Sequence, residues 1–375
     1  MHAILFALAA APPPLSGPYQ TTHSTMKMPD PHYQHPIDVY YPLNTAENFR
    51  FVSFAHGAGG GSVILPVVYK SLLHSLASWG YVVAATKACM MGSNDTCHYY
   101  EHQLRVIDWA RGKAADGTAP YALANFSTVA IVGHNMGGEA TMLNSQASSA
   151  ATYHIGAAVM LHAFTHHPVP PAVPFLAFTG TTDTTAPMAM TEAFYNAASA
   201  GLPRGLVEKV NASHQEPTDY NDKSEPYNPY MQQFVAGWLK LHLDQTPRAM
   251  GVDWDGLLYG AGAASLCGGG DGAMHRCEVH RGGRAAATGV VEQAATLAAE
   301  AREVEDGGQP TEDGGEPTED EGAGVDAAAA ASCRTRGHLY EGSEDATLWR
   351  AGLAFVSSGL VPSPTQPGCV PRGGT

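Results

Sequence analysis

Thr128-Val129-Ala130-Ile131-Val132-Gly133-His134-Asn135-Met136-Gly137-Gly138 decides the fold of this 375-residue chain. The first five residues are a short β-rich run without polar alternation, the signature of a strand buried on both faces of a parallel sheet. Gly133 and Gly137 then bracket an apex residue, and Gly138-Glu139-Ala140-Thr141-Met142-Leu143 reads as a helix. A strand that turns this sharply into a helix needs glycine on both sides of the apex, because backbone and new helix approach too closely for a Cβ. The G-x-S-x-G pattern places a nucleophilic serine on such a turn. Here the apex is Asn135, and no other G-x-S-x-G occurs in the sequence. An amide offers no hydroxyl proton for a histidine to remove.

A glycine-rich strand-to-helix turn is ambiguous alone, and the rest of the chain gives it context. Upstream, Phe51-Val52-Ser53-Phe54-Ala55 reads as a strand that ends in His56-Gly57-Ala58-Gly59-Gly60-Gly61. A His-Gly pair at a strand end, followed by flexible backbone, suits a donor to an oxyanion, and that N–H is assigned to Ala58. The second donor is the N–H of Met136, at the start of the helix after the apex. No Lys-Ser/Thr follows the glycines, which argues against a phosphate-binding loop. Downstream, the strand Pro174–Gly180 leads to Asp183, and the strand Leu206–Val210 leads to His214. Apex, acid and histidine follow the chain order of a hydrolase triad, each in the loop after a strand. His134, His162, His166 and His167 are read as bystanders.

These residues resemble secreted α/β-hydrolases of the polyester hydrolase and cutinase-like type, with chlorophyllases and platelet-activating-factor acetylhydrolases as more distant relatives. The resemblance covers about residues 17–282. It runs from Gly17-Pro18-Tyr19 and Val39-Tyr40-Tyr41-Pro42 through the motifs above, Ala186-Pro187 and Ala212-Ser213-His214, to the final helix at Phe234–Lys240 and Leu266-Cys267. It implies an α/β-hydrolase fold, a mostly parallel twisted sheet flanked by helices. It also implies that Asp183 and His214 are acid and base of a triad, with Ala58 and Met136 in the oxyanion hole. The substrate class it implies is a small hydrophobic ester. Asn135 departs from the family in place of serine. Ala58 departs where polyester hydrolases often carry a cleft aromatic. Phe164, near a strand end, reads first as core packing, with a cleft aromatic as the alternative.

Composition sets the limits. With 44% hydrophobic residues the chain can bury one core of roughly 250 residues. Residues 1–16 are apolar and end in small residues and prolines, too short to span a bilayer and consistent with a leader for secretion. Six cysteines fall into local pairs, Cys89 with Cys97, Cys267 with Cys277, and Cys333 with Cys369, as in a disulfide-bonded secreted chain. No C-x-x-C occurs, so zinc is the weaker reading and no metal or cofactor is expected. Tyr99 to Arg111 reads as amphipathic, with Leu104, Ile107 and Trp109 inward.

Past residue 283 the character changes. Residues 283–332 begin with an alanine-rich helix and continue into a Gly/Pro/acid-rich stretch. Residues 300–326 hold 11 acids against one Arg, a net −10 of the chain's −15. Such a segment buries too little apolar area to offset ordering entropy and reads as a disordered, solvated tail. Residues 333–375 form a small Cys-containing extension. The negative charge therefore belongs to the tail and not to the cleft. Nothing points to nucleic acid or a membrane span, and the expected state is a monomer.

Two readings of Asn135 stay open beside an esterase with weak or absent serine chemistry. One is a non-catalytic protein that holds a ligand or partner in the cleft. The other is a hydrolase that uses a His214-activated water, or an aspartate formed by deamidation at 135.

Overall fold

The structure, a computed structural model, describes residues 14–29, 34–57, 68–86, 99–220, 229–261, 265–268 and 274–283. The chain divides into Met1–Thr311 and Glu312–Thr375, and all described residues belong to the first unit. Outside them lie the N-terminal apolar run, Ala58, Cys89, Cys97, Cys333, Cys369, the alanine-rich and acidic segments and the 333–375 extension.

Nine strands form one sheet. In chain order they are β1 (Thr21–Pro29), β2 (Gln34–Pro42), β3 (Phe49–Ala55), β4 (Tyr81–Thr86), β5 (Ala124–His134), β6 (Ile155–Leu161), β7 (Phe175–Gly180), β8 (Arg204–Lys209) and, after a separate two-residue pair β9 (Arg248–Ala249) and β10 (Val252–Asp253), β11 (Met274–His280). Their order across the sheet is β1-β2-β4-β3-β5-β6-β7-β8-β11. The six strands from β4 to β8 run parallel, while β1, β2 and β11 add antiparallel edges. Helices α1 (Lys70–Ser78), α2 (Tyr99–Ala115), α3 (Met136–Asn144), α4 (Ala147–Tyr153), α5 (Met188–Ala197), α6 (Pro229–His242) and α7 (Trp254–Tyr259) complete the order.

Alternate residues of each central strand feed two cores, because side chains in a strand alternate between faces. Val52, Phe54, Val83, Ala130 and Val132 pack with Leu72 and Leu76 of α1 and with Phe234 and Trp238 of α6. Phe51, Val82, Val129 and Ile131 pack on the other side with Val106 and Ile107 of α2 and Phe194 of α5. The amphipathic reading of α2 holds, with Ile107 in the core and Leu104 and Trp109 packed against it, and the buried face reaches further than that reading. Its buried face is His102, Gln103, Val106, Ile107 and Ala110, while Leu104 and Trp109 lie at its half-buried flanks. Apolar periodicity passed over Gln103, which is fully buried on this face. That amide is buried because it bonds to the Val132 carbonyl and to the Thr141 hydroxyl, tying α2 to β5 and α3.

From β3 the chain steps back to β4 on one side, and from β5 it steps on to β6 on the other, so the strand order reverses between the neighbours β3 and β5. In open parallel sheets that reversal leaves a crevice at the carboxyl ends of the strands. His56-Gly57 and the Asn135 turn stand there. Cys267 and Cys277 form a disulfide that ties β11 to the segment after α7.

Candidate active site

Asn135 sits at the apex with φ 57° and ψ −118°, a left-handed conformation that a non-glycine residue holds only under constraint. The constraint is close packing. A Cβ on Gly133 would stand 1.9 Å from the Gly137 carbonyl oxygen, and one on Gly137 would stand 2.0 Å from that of Ala55. Both contacts are backbone on backbone and cannot yield. The Asn135 carbonyl accepts from the N–H of Glu139, the first turn of α3, and from the N–H of Phe164, each at 3.1 Å. The N–H of Met136, the first residue of α3, has no acceptor within the helix. It is therefore a donor at the positive end of a helix dipole.

Three side chains meet at this turn. Asp183, in the loop after β7, accepts from Nδ1 of His214 through Oδ2 at 2.9 Å and Oδ1 at 3.1 Å. His214, in the loop after β8, turns Nε2 toward Nδ2 of Asn135 at 2.7 Å. With Nδ1–H given to Asp183, Nε2 of neutral His214 carries a lone pair, and the Asn135 amide donates into it. Asp183, Asn135 and His214 are each at least nine-tenths buried. Asp183 is anchored further by the N–H groups of Thr185 and Ala186, both donating to Oδ1.

Two of the presumed bystanders belong to this centre. His162 follows the last residue of β6 with φ 46°, a second non-glycine residue in the left-handed region. Its side chain is fully buried, with Nδ1 2.8 Å from Asp183 Oδ2 and Nε2 3.0 Å from Glu216 Oε2. Lys209 lies 3.4 Å from the other oxygen of Glu216. Both ring nitrogens of His162 face carboxylates, so both carry protons. Burial on its own would lower the pKa of that ring. The hydrogen bonds and charges of Asp183 and Glu216 outweigh it and lift the value to about 9. For Asp183, burial pulls the pKa up, while the hydrogen bonds from His162 and His214 prevail and hold it well below the usual carboxylate range.

His134 behaves oppositely. Its Nε2–H donates to the His214 carbonyl at 2.8 Å, and its Nδ1 accepts from the Tyr69 hydroxyl at 2.7 Å. Tyr69 in turn accepts from the N–H of Gly57 at 2.9 Å. Burial first, then the nearby His214 and His162 rings, push the His134 pKa well below its ordinary value, so this ring is neutral. It links the β3 loop, the apex turn and the His214 loop by hydrogen bonds alone. No local pattern around Tyr69 marks it for this role.

Ligand atoms of His162, Asp183 and His214 lie within 4.8 Å of one another, a grouping with metal-ligand residue types. Each histidine, however, aims an N–H at the carboxylate, and these spacings are those of hydrogen bonds. The group is satisfied as a proton-holding chain. Phe164 is half-exposed, packed edge-on against His166 with ring centres 5.0 Å apart, and its backbone touches the apex. It stands at the rim of the turn rather than in the core.

A family described as "PETase: PET hydrolase-like" matches residues 10–251, about two thirds of the chain. The chain belongs to this PET hydrolase-like family. The match covers the sheet through β8, the apex turn, Asp183 and His214, and ends before the Cys267–Cys277 segment and β11. The resemblance read from sequence extended to residue 282. No curated protein matches the chain. Among the described residues no helix is long and apolar enough to cross a membrane.

Proposed function

We propose that this member of the PET hydrolase-like family keeps the cleft of a carboxylic ester hydrolase and lacks serine-type turnover. The observation that carries the reading is the 2.7 Å contact between Asn135 Nδ2 and His214 Nε2. In a serine triad the hydroxyl donates to this nitrogen, surrenders its proton and attacks the acyl carbon. Asn135 makes the same hydrogen bond from the same backbone position. Its nitrogen lone pair is delocalised into the carbonyl, so transfer of the proton leaves no competent nucleophile. The Met136 N–H, with the Ala58 N–H that the resemblance implies as second donor, binds and polarises an ester carbonyl beside the Asp183–His214 relay, and no group attacks it. A water activated by His214 competes with the Asn135 amide for the one lone pair on Nε2, which weighs against that route. The ligand is a small hydrophobic ester, with Phe164 at the rim.

The test is hydrolysis of short-chain p-nitrophenyl esters by the full chain and by Asn135→Ser. The serine variant should gain at least about 10³-fold, well inside the roughly 10⁶-fold lost when a triad nucleophile is removed. Adding His214→Ala to the serine variant should abolish the gain. If Asn135→Ser folds and stays silent, the cleft no longer accepts esters and a purely ligand-binding role replaces this reading. If the unchanged chain already matches Asn135→Ser, the water route operates after all.

A further inference from the structure

The backbone that would present a serine also places Asn135 in the geometry of a cyclic imide. About the Cα–C bond of an L-residue, Cβ is offset from N by about 120°. At the observed ψ of −118° the Met136 nitrogen therefore eclipses Cβ of Asn135. A five-membered succinimide ring, built from Cα, Cβ, Cγ, the backbone carbonyl carbon and the following nitrogen, requires that eclipsed arrangement. In ordinary strands and helices ψ lies near +135° or −42° and the nitrogen points elsewhere. In a flexible chain, reaching this arrangement is much of what slows imide formation. Here the glycine contacts at 133 and 137 enforce it.

We infer that Asn135 is a self-modifying residue, converted within the folded protein through a succinimide to aspartate. Rotation about Cα–Cβ brings Cγ onto the Met136 nitrogen, whose N–H has no acceptor within α3. The N–Cγ bond forms as the Cγ–Nδ2 bond breaks. The Met136 amide proton passes to water. Nε2 of His214 takes up that proton from the water and passes it to the departing nitrogen, 2.7 Å away at the outset, which leaves as ammonia. His214, once neutral, then withdraws a proton from a water that adds to the imide. Addition at Cγ breaks the new N–Cγ bond, restores the Met136 N–H and gives Asp. Addition at the backbone carbonyl carbon would give isoaspartate, with the chain rerouted through the side chain.

Two features direct the water to Cγ. The backbone oxygen of Asn135 is tied inward by Glu139 N–H and Phe164 N–H, whereas His214 stands on the side-chain side. Rerouting the chain would also lengthen the backbone between Gly133 and Gly137, where no room exists. The product places a carboxylate against His214 Nε2, so that the ring lies between two carboxylates, Asp183 and the new one. This inference is independent of whether the cleft accepts esters, since its chemistry needs only water.

The full chain is incubated folded, at neutral pH and physiological temperature, beside a sample held in urea. Both are digested and the peptide containing residue 135 is followed by mass. The expected intermediate is about 17 Da lighter than the asparagine peptide, and the product about 1 Da heavier, the changes for loss of ammonia and for amide-to-acid conversion. Conversion should run roughly tenfold faster in the folded chain, the scale set by ordering one residue's backbone beforehand. The product should be cut by a protease that cleaves at Asp and not at isoaspartate. His214→Ala should convert more slowly. An unchanged peptide from the folded chain, equal or faster conversion in urea, or a predominantly isoaspartyl product would each overturn the inference. Silence of Asn135→Ser toward esters would leave it standing.

Discussion

Replacing His162 by Gln tests whether the buried chain behind the triad is held together by charge. In the native protein the ring carries both protons between Asp183 and Glu216 and is fully buried. Its pKa is raised from 6.5 to about 9, so folding favours the imidazolium. The stabilisation from this group is fully present below the unfolded value and is lost as pH rises through about 9. The size of the rise corresponds to about 3 kcal/mol at pH near 6, most of it gone by pH 9. Gln fits a similar volume and keeps one donor, but it cannot carry the charge or satisfy both carboxylates. The variant should therefore unfold at lower urea than the parent, with a gap of about 3 kcal/mol near pH 6. That gap should narrow steadily toward pH 9, because the parent loses what the variant never had. Urea melts of both proteins at several pH values, analysed by linear extrapolation, give the comparison directly. A gap that is constant across this range would refute a charged His162 and leave only a packing role.

Other consequences concern the turn and its neighbours. Gly133→Ala should leave little folded protein, since its Cβ would meet the Gly137 carbonyl oxygen at 1.9 Å; soluble yield and circular dichroism report it. Tyr69→Phe strips the Gly57 N–H and His134 Nδ1 of their shared partner and should cost about 1–3 kcal/mol in a urea melt. Because buried His134 is neutral with a lowered pKa, native stability should also fall as pH drops below its ordinary range, a loss that His134→Gln should not share. Reducing Cys267–Cys277, which closes a 10-residue separation, should cost about 2–3 kcal/mol, read as a lower thermal midpoint.

What the sequence made legible was what backbone sterics dictate. The apex turn declared itself because Gly133 and Gly137 admit no Cβ, and the strands because short apolar runs stop at loops that hold Asp183 and His214. The buried relay behind them was not legible. His162 ends β6 much as the apex ends β5, and Glu216 follows His214 by two residues, so strand-end position was a usable signal. Yet the pairing of His162 with Asp183 depends on a left-handed backbone at His162 that no local pattern announces. Gln103 and Tyr69 show the same limit. A polar side chain on an apolar face looks misplaced until its distant partners are known, here Val132 and Thr141 for one and Gly57 and His134 for the other. The edges also differ from the family match: β11 joins the sheet beyond residue 251, where the match ends.

Asparagine at the apex is tolerated because it satisfies the hydrogen bond that serine would make. Nδ2–H donates to His214 Nε2, so His214 keeps its ring position, Asp183 keeps both ring donors, and neither buried polar group is left unpaired. An apolar residue at 135 would instead strand the Nε2 lone pair and loosen the relay, at a cost of about 1–3 kcal/mol. Stability therefore does not select against asparagine here. The same argument explains why the geometry of Asn135, His214 and Asp183 needs no serine: it is held by His162, His134 and the glycine contacts, none of which depends on a hydroxyl. A fold that over-determines its active turn in this way imposes that turn's dihedrals on whatever residue occupies it. For serine those dihedrals present a nucleophile; for Asn135 they align its own side chain with the next peptide nitrogen.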